Sequence, residues 1–384
     1  MKRYIAPIVL LLALGSLGFT ACSFSIKSNP EKTQTVVLDK YFDNNRNRVY
    51  WPTDDWRVSN PEEEGMDLKK LEAAKKRMRE EFFNIRSLLI VKNGFLIYEE
   101  YFNEYKADNT QDIKSATKSV LSILTGIAIE NGYIKGVNQN LVEIFPEYAQ
   151  LINNSLKKEI NVEYLLTMSS GLQDTSKEVQ VEKRQEDYSD LVKALILELP
   201  VANKPGSIFL YDEGHIHILS GIITKTSKME TLDFANKYLF FSLGIANAKW
   251  TTDPNGLCYG GSGLQITPRD MAKIGYLYLN GGKWGEKQIV SKQWIKESLK
   301  PRFKTQDQQV ITGPTEYGYL WWLKDIKGYP SFFASGRGGQ FIIIIPDLDM
   351  VIVTTADGDA QAGPQFYAPF KVIEENIVDA VVNK

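Results

Sequence analysis

Apolar positions along this chain follow two periodicities, and the two are segregated. Early on, Ser87-Leu-Leu-Ile-Val-Lys92 and Phe95-Leu-Ile-Tyr-Glu-Glu-Tyr-Phe102 are rich in β-branched and aromatic residues and are separated only by Asn93-Gly94. That dipeptide takes positive φ at low cost, so the spacing predicts a tight hairpin. A second strand group lies near the C-terminus and comprises Tyr317–Leu323, Phe332–Ala334, Gln340–Ile345 and Met350–Thr355, with Pro346–Asp349 as the last turn. Between the two groups the period shifts toward that of a helix, over Val120–Glu130, Leu191–Leu199, His217–Thr226, Asp270–Leu279 and Ser291–Leu299. Helical spacing also marks Met66–Glu81, where Leu68, Leu71, Ala74 and Met78 form one stripe. Pro61 and Glu62–Glu64 before it suit a helix start. An amphipathic segment, Phe370–Val382, closes the chain. The expected class is α/β in the α+β sense: an antiparallel sheet built from both chain ends, flanked by terminal helices, with a mostly helical region inserted.

Composition narrows the function more than the fold. With 43% hydrophobic and 24% charged residues the chain has an ordinary globular balance, and a net charge of -2 gives no footing for a nucleic-acid partner. Met1-Lys2-Arg3 is a basic start, Ile5–Phe19 is apolar apart from small residues, and the run ends in Phe19-Thr20-Ala21-Cys22. This is the pattern of a lipoprotein signal peptide, cleaved before Cys22 with lipid attached to its thiol. Residues 1–21 are therefore expected to be the signal, and 22–55 a polar tether. Residues 56–110 and 305–384 are expected to form the sheet subdomain, and 111–304 the helical one. The expected site of action is the bacterial cell envelope, with Cys22 anchoring the protein to a membrane. Cys258, left without a partner, is expected to be a buried structural thiol.

The candidate chemistry starts at Ser115-Ala116-Thr117-Lys118. On a helix, positions three apart share a face, so the lysine amine reaches the serine hydroxyl. A serine becomes a useful nucleophile when a neighbouring group takes its proton, and burial that lowers a lysine pKa from about 10.4 would fit lysine for the task. The tetrapeptide alone is weak, since Ser155-Leu156-Lys157-Lys158 repeats it. Context separates them: the second copy sits in a polar stretch, whereas Ser115 leads into Val120–Ile129, apolar on most faces and fit for central burial.

Taken with its surroundings, Ser115-x-x-Lys118 resembles the first motif of the serine β-lactamase and penicillin-binding-protein family. The likeness is nearest to the branch of class C β-lactamases, D-alanyl-D-alanine carboxypeptidases and esterases, and within it to the aminohexanoate-dimer hydrolase-like group. It is carried also by Pro61–Met66, Leu165–Leu172, Gly263–Lys273 and Tyr317–Trp322, and runs from about Trp51 to Ile377. The resemblance implies a β-lactamase/transpeptidase-like fold and an acyl-enzyme on Ser115, with no cofactor and no metal. In the second motif, Tyr211 follows the Pro205-Gly206 turn and matches the family's proton-handling tyrosine, with Lys118 as the cation beside it. Glu213 stands where asparagine is usual. An ionised carboxylate only accepts hydrogen bonds, so the asparagine's donor role toward substrate does not transfer, although the place is a substrate-binding one. The third motif reads Ala334-Ser335-Gly336. Its glycine matches, as a point where substrate approaches the strand, but the usual cation is missing, which argues against a penicillin or D-Ala-D-Ala substrate. The resemblance also implies an oxyanion hole from the backbone amides of Ser115 and Arg337.

The expected activity is hydrolysis of an ester or amide in a small or peptide-like substrate. The rival expectation is a non-catalytic envelope lipoprotein of the same fold that binds cell-wall fragments or a protein. His215 and His217 are the only histidines. They lack the further ligands of a metal site, and packing is their expected role. Gly336-Arg-Gly338-Gly339 is no phosphate loop, because it leads into a strand. Trp321-Trp322 is expected to pack on the sheet.

Overall fold

The computed structural model describes residues 48–175, 191–305, 314–360 and 369–382. The expected signal peptide, Cys22 and most of the expected tether lie outside them. Asn93 and Gly94 both take positive φ, 53° and 90°. They join β1 (Ile85–Lys92) to β2 (Phe95–Tyr101) with Lys92 opposite Phe95, the two-residue hairpin that the sequence predicts. The C-terminal strands are β8 (Phe303–Thr305), β9 (Thr315–Tyr317), β10 (Trp322–Ile326), β11 (Tyr329–Gly336), β12 (Gln340–Ile345) and β13 (Met350–Ala356). Together with the hairpin they make an eight-stranded antiparallel sheet in the order β2-β1-β13-β12-β11-β10-β9-β8. The seam between the chain ends is the β1–β13 ladder, where Leu89 faces Val353 and Ile90 faces Ile352.

Both faces of this sheet are covered, which is why β12 and β13 read as unbroken apolar runs and not as an alternation. On one face Phe333 and Phe341 meet Phe370 of the C-terminal segment, at 5.2 and 5.4 Å between ring centroids. On the other, the helix Pro268–Leu279 lies so close that a Cβ on Gly275 would sit 2.5 Å from a Val351 methyl and 2.8 Å from an Ile342 methyl. Successive strand residues point to opposite faces, so Phe341 and Ile342 serve different layers. The terminal helix Leu68–Glu81 packs with the C-terminal segment and buries Leu71, Ala74 and Met78 of the predicted stripe.

Several boundaries differ from the sequence reading, each for a local reason. The helix begins at Leu68, because Asp67 caps it by accepting from the amides of Lys69 and Lys70; Glu62–Glu64 form a turn before it. Tyr317–Leu323 is not one strand. Leu320 adopts a left-handed φ of 61°, and its amide bonds to the Leu166 carbonyl, so 318–321 leaves the sheet for the helical region. Phe370–Val382 is split into short turns of α, π and 3-10 type, Pro369–Val372, Ile373–Ile377 and Val378–Ala380. Two small sheets were not foreseen: β3 (Gln111–Asp112), β5 (Leu264–Ile266) and β4 (Lys249–Trp250), and the hairpin β6 (Lys283–Trp284) with β7 (Lys287–Gln288). Residues 48–55, the end of the expected tether, lie on the body: Trp51 packs against Tyr276 and Trp284, and Arg48 pairs with Asp349. No helix among the described residues is long and apolar enough to cross a membrane.

Because Phe341 is wholly buried at the junction of sheet and C-terminal segment, Phe341→Ala should cost about 3–5 kcal/mol of stability, read from the urea midpoint at unchanged slope.

Candidate active site

The chain approaches Ser115 along a fixed track. β3 pairs with β5, the Ile113 amide donates to the Leu264 carbonyl at 2.9 Å, and the Asp112 carboxylate accepts from the amides of Gly263 (3.1 Å) and Lys114 (2.8 Å). Lys114 then takes a left-handed φ of 51°, sparsely populated for a lysine. Its ammonium holds that turn by pairing with Asp112 at 3.1 Å and Asp359 at 2.8 Å. A 3-10 turn, Lys114–Ala116, delivers Ser115 to the entrance of the helix Thr117–Glu130, which is buried from Thr117 through Ala128. The predicted central burial of this helix is what removes Lys118 from water.

Lys118 is 1% exposed along its side chain. Its ammonium donates to Ser115 Oγ at 2.8 Å, to the Gly261 carbonyl at 2.8 Å and to Glu213 Oε1 at 3.2 Å. Burial acts to lower its pKa, but attraction to Tyr211 and Glu213 and hydrogen bonds to both outweigh it, and the amine sits above the ordinary lysine value. Here the structure departs from the expectation of a lysine made basic by burial: Lys118 is a retained cation.

Tyr211 and Glu213 arrive on the next element. The Leu210 amide bonds to the Met168 carbonyl at 2.7 Å, after the Pro205-Gly206 turn. The Tyr211 ring lies 4.9 Å from the Lys118 ammonium and 5.7 Å from the Trp322 ring. Trp321, just before β10, packs against Tyr278 of the helix Pro268–Leu279 and Phe332 of β11, the sheet packing expected of both tryptophans, whereas Trp322 also backs Tyr211. Asp212 caps the helix Glu213–Ser227, accepting from the amide of His215 and from the amide and hydroxyl of Thr175. Glu213 is thereby fixed as the first helical residue, where the positive helix end favours its negative charge. Its carboxylate accepts from Ser115 Oγ at 3.2 Å.

Gly336 is constrained by a backbone contact that the motif does not reveal. A Cβ there would lie 2.3 Å from the Ile113 carbonyl oxygen. The close approach is made by the segment that carries Ser115, and this packs β11 against the Lys114–Ala116 turn. The β10 ladder ends at Phe333, so Ala334–Gly336 is laddered to β12 alone. Arg337 is exposed in the turn beyond, and the Asp359 carboxyl is held below its ordinary value chiefly by its hydrogen bond from Lys114, with a smaller contribution from the Arg337 charge. Gly261, which sequence reasoning passed over, is equally constrained: a Cβ would lie 3.1 Å from Glu213 Cβ and 3.3 Å from Lys118 Nζ. The consecutive Gly260-Gly261 was its only signal.

The remaining candidates are set apart from this cluster. Ser155 and Lys158 of the second Ser-x-x-Lys are both exposed. His215 is buried on Ser170 and Gln173, and His217 on Asp253, each with its own partners. Cys258 is buried, and burial pushes its thiol up to about 11. A cavity of about 580 Å³ adjoins the cluster, with Tyr211, Glu213 and Gly261 in its wall.

A model of the beta-lactamase family matches residues 86–374. The chain belongs to that family. It is a serine hydrolase of the beta-lactamase family. It is 24% identical over 284 residues to the 6-aminohexanoate-dimer hydrolase of Paenarthrobacter ureafaciens, covering 70% of this chain and 71% of the relative. Among solved structures, a protein of Bacillus anthracis described as a 6-aminohexanoate-dimer hydrolase superposes with a TM-score of 0.67 at 19% identity, over 93% of this chain and 91% of that one. A family VIII carboxylesterase gives a TM-score of 0.62 at 16% identity, over 79% and 96%. These likenesses show a fold shared by hydrolases of this family.

The direction of the Lys118 shift has a measurable sign. A pKa raised by folding contributes stability that is whole below the unfolded value, about 10.4, and lost as pH rises through the folded value. The stability difference between the parent and Lys118→Met should therefore be flat from pH 7 to about 10 and decline above that, measured by urea unfolding at each pH.

Proposed function

We propose that this protein hydrolyses an ester or amide bond through an acyl-enzyme on Ser115. The observation that carries the reading is the contact of Ser115 Oγ with a buried cation, Lys118, 2.8 Å away, at the mouth of a buried helix. As the hydroxyl gives up its proton its oxygen gains negative charge, and a buried ammonium fixed beside it stabilises that charge more than water would. Lys118 then works as a cation, its hydrogens directed at Ser115, Glu213 and the Gly261 carbonyl. Tyr211, held against that ammonium, is the group placed to pass a proton to the leaving group. The amides of Ser115 and Arg337 serve as the oxyanion donors. The relatives act as hydrolases of a linear amide dimer and of carboxylic esters by their descriptions, and the same substrate classes suit this site. Ala334 where a cation is usual removes the grip on a substrate carboxylate, so β-lactams are poor candidates. The protein is proposed to act at the bacterial cell envelope, tethered through Cys22.

Intact mass after treatment with a fluorophosphonate tests the chemistry. A single adduct is expected on the parent and none on Ser115→Ala; equal labelling of both would overturn the reading. The anchor has its own test. Cys22→Ala should move the protein from the detergent phase to the aqueous phase on Triton X-114 partition.

A further inference from the structure

We propose that Glu213 is the catalytic base of this site, its carboxylate taking the Ser115 proton in acylation and the proton of the incoming water in deacylation. The proposal rests on the reading of Ser115 as nucleophile and deepens it.

The argument is an account of hydrogens. Lys118 carries an ammonium, which only donates, so at the 2.8 Å contact Ser115 Oγ is the acceptor. The hydroxyl has one hydrogen of its own to place. Its other side-chain partner among the described residues is Glu213 Oε1, 3.2 Å away, and an ionised carboxylate only accepts. The Ser115 hydrogen therefore points at Glu213 in the resting site. Tyr211, the family's proton carrier, is engaged with the Lys118 ammonium, which attracts and hydrogen-bonds it and lies 4.9 Å from its ring.

Three features keep the carboxylate in place. Lys118 donates to the same Oε1 at 3.2 Å. Gly261 lies against its Cα and Cβ, at the distances where a side chain on residue 261 would displace it. The Asp212 cap fixes Glu213 at the helix start. At the same time the Glu213 side chain is 59% exposed and forms part of the cavity wall, so water reaches the group that must activate it.

The step balances. Ser115 Oγ forms a bond to the substrate carbonyl carbon while its proton passes to Glu213, and the carbonyl electrons move to the oxyanion. Collapse expels the leaving oxygen or nitrogen, which takes up a proton, by way of Glu213 or of Tyr211 recharged from it. Water then attacks the acyl carbon, Glu213 accepts its proton, and the bond to Oγ breaks as that proton returns to Ser115. No external acid, base or oxidant is required. Asparagine in this place, the usual family residue, could not perform it; the substitution changes a donor into an acceptor at the nucleophile itself.

The deciding experiment compares fluorophosphonate labelling rates and p-nitrophenyl ester hydrolysis for parent, Ser115→Ala, Glu213→Gln, Glu213→Ala and Tyr211→Phe, with melting temperatures to confirm folding. Glu213→Gln keeps the shape and removes the base, and both rates should fall by about 10²-fold or more, the usual share of a general base. Tyr211→Phe should label faster than Glu213→Gln, and added formate should restore labelling of Glu213→Ala in proportion to its concentration. Labelling of Glu213→Gln within about threefold of the parent, well inside the loss that removing a base brings, would overturn the role of Glu213 while leaving the nucleophile intact. So would formate without effect. An unlabelled parent would instead overturn Ser115 as nucleophile, and the base with it.

Discussion

The burial of one ammonium group is the constraint on which this site depends. An isolated charge inside a protein is costly and persists only when its hydrogens are matched by acceptors. Acceptors reach Lys118 from three separate elements: Ser115 in the turn that enters its helix, Glu213 at the start of another helix, and the Gly261 carbonyl on the loop before β5. Each acceptor is thereby fixed in relation to the other two. The nucleophile, the carboxylate and the cavity wall share one geometry because they share one cation.

The sheet's part is to hold the approach to that cation rigid. Leading up to Ser115 are the β3–β5 pairing, the Asp112 carboxylate and the positive-φ turn at Lys114. Gly336 of β11 closes against the Ile113 carbonyl from the other side. Sequence-distant strands thus meet at the residues just before the nucleophile, and the β1–β13 seam that joins the chain ends keeps them in register. Local strain at Lys114 persists because two carboxylates and this packing hold it.

What was legible in the sequence follows from this. Asn93-Gly94 announced its hairpin because turn chemistry is local, and the apolar run after Ser115 announced its burial because no surface helix tolerates one. Ser115 and Lys118 were legible as a pair since three residues on a helix set their distance. The split of Tyr317–Leu323 was hidden, because it is made by hydrogen bonds from Leu320 and Ser119 to and from the helical region. The fate of the lysine was hidden for the same reason. Burial alone argues for a lowered pKa, and only the arrival of Glu213 and Tyr211 from far along the chain reverses it. Gly336 was read as a motif glycine, but its physical cause is a backbone contact that no spacing reveals.

Glu213 shows how one substitution redistributes a site's duties. A donor in that place would face the substrate carbonyl; an acceptor there turns toward the two donors already present, Lys118 and Ser115. The loss of a substrate-gripping amide and the loss of the cation at Ala334 then belong together. Both are substrate-gripping positions in the family's motifs, and the carboxylate that stands in place of the amide lies against Ser115 and Lys118. On the proposed reading, a site so arranged relies on the cavity beside Tyr211 to position its substrate and favours linear acyl compounds over those held by a fixed negative charge.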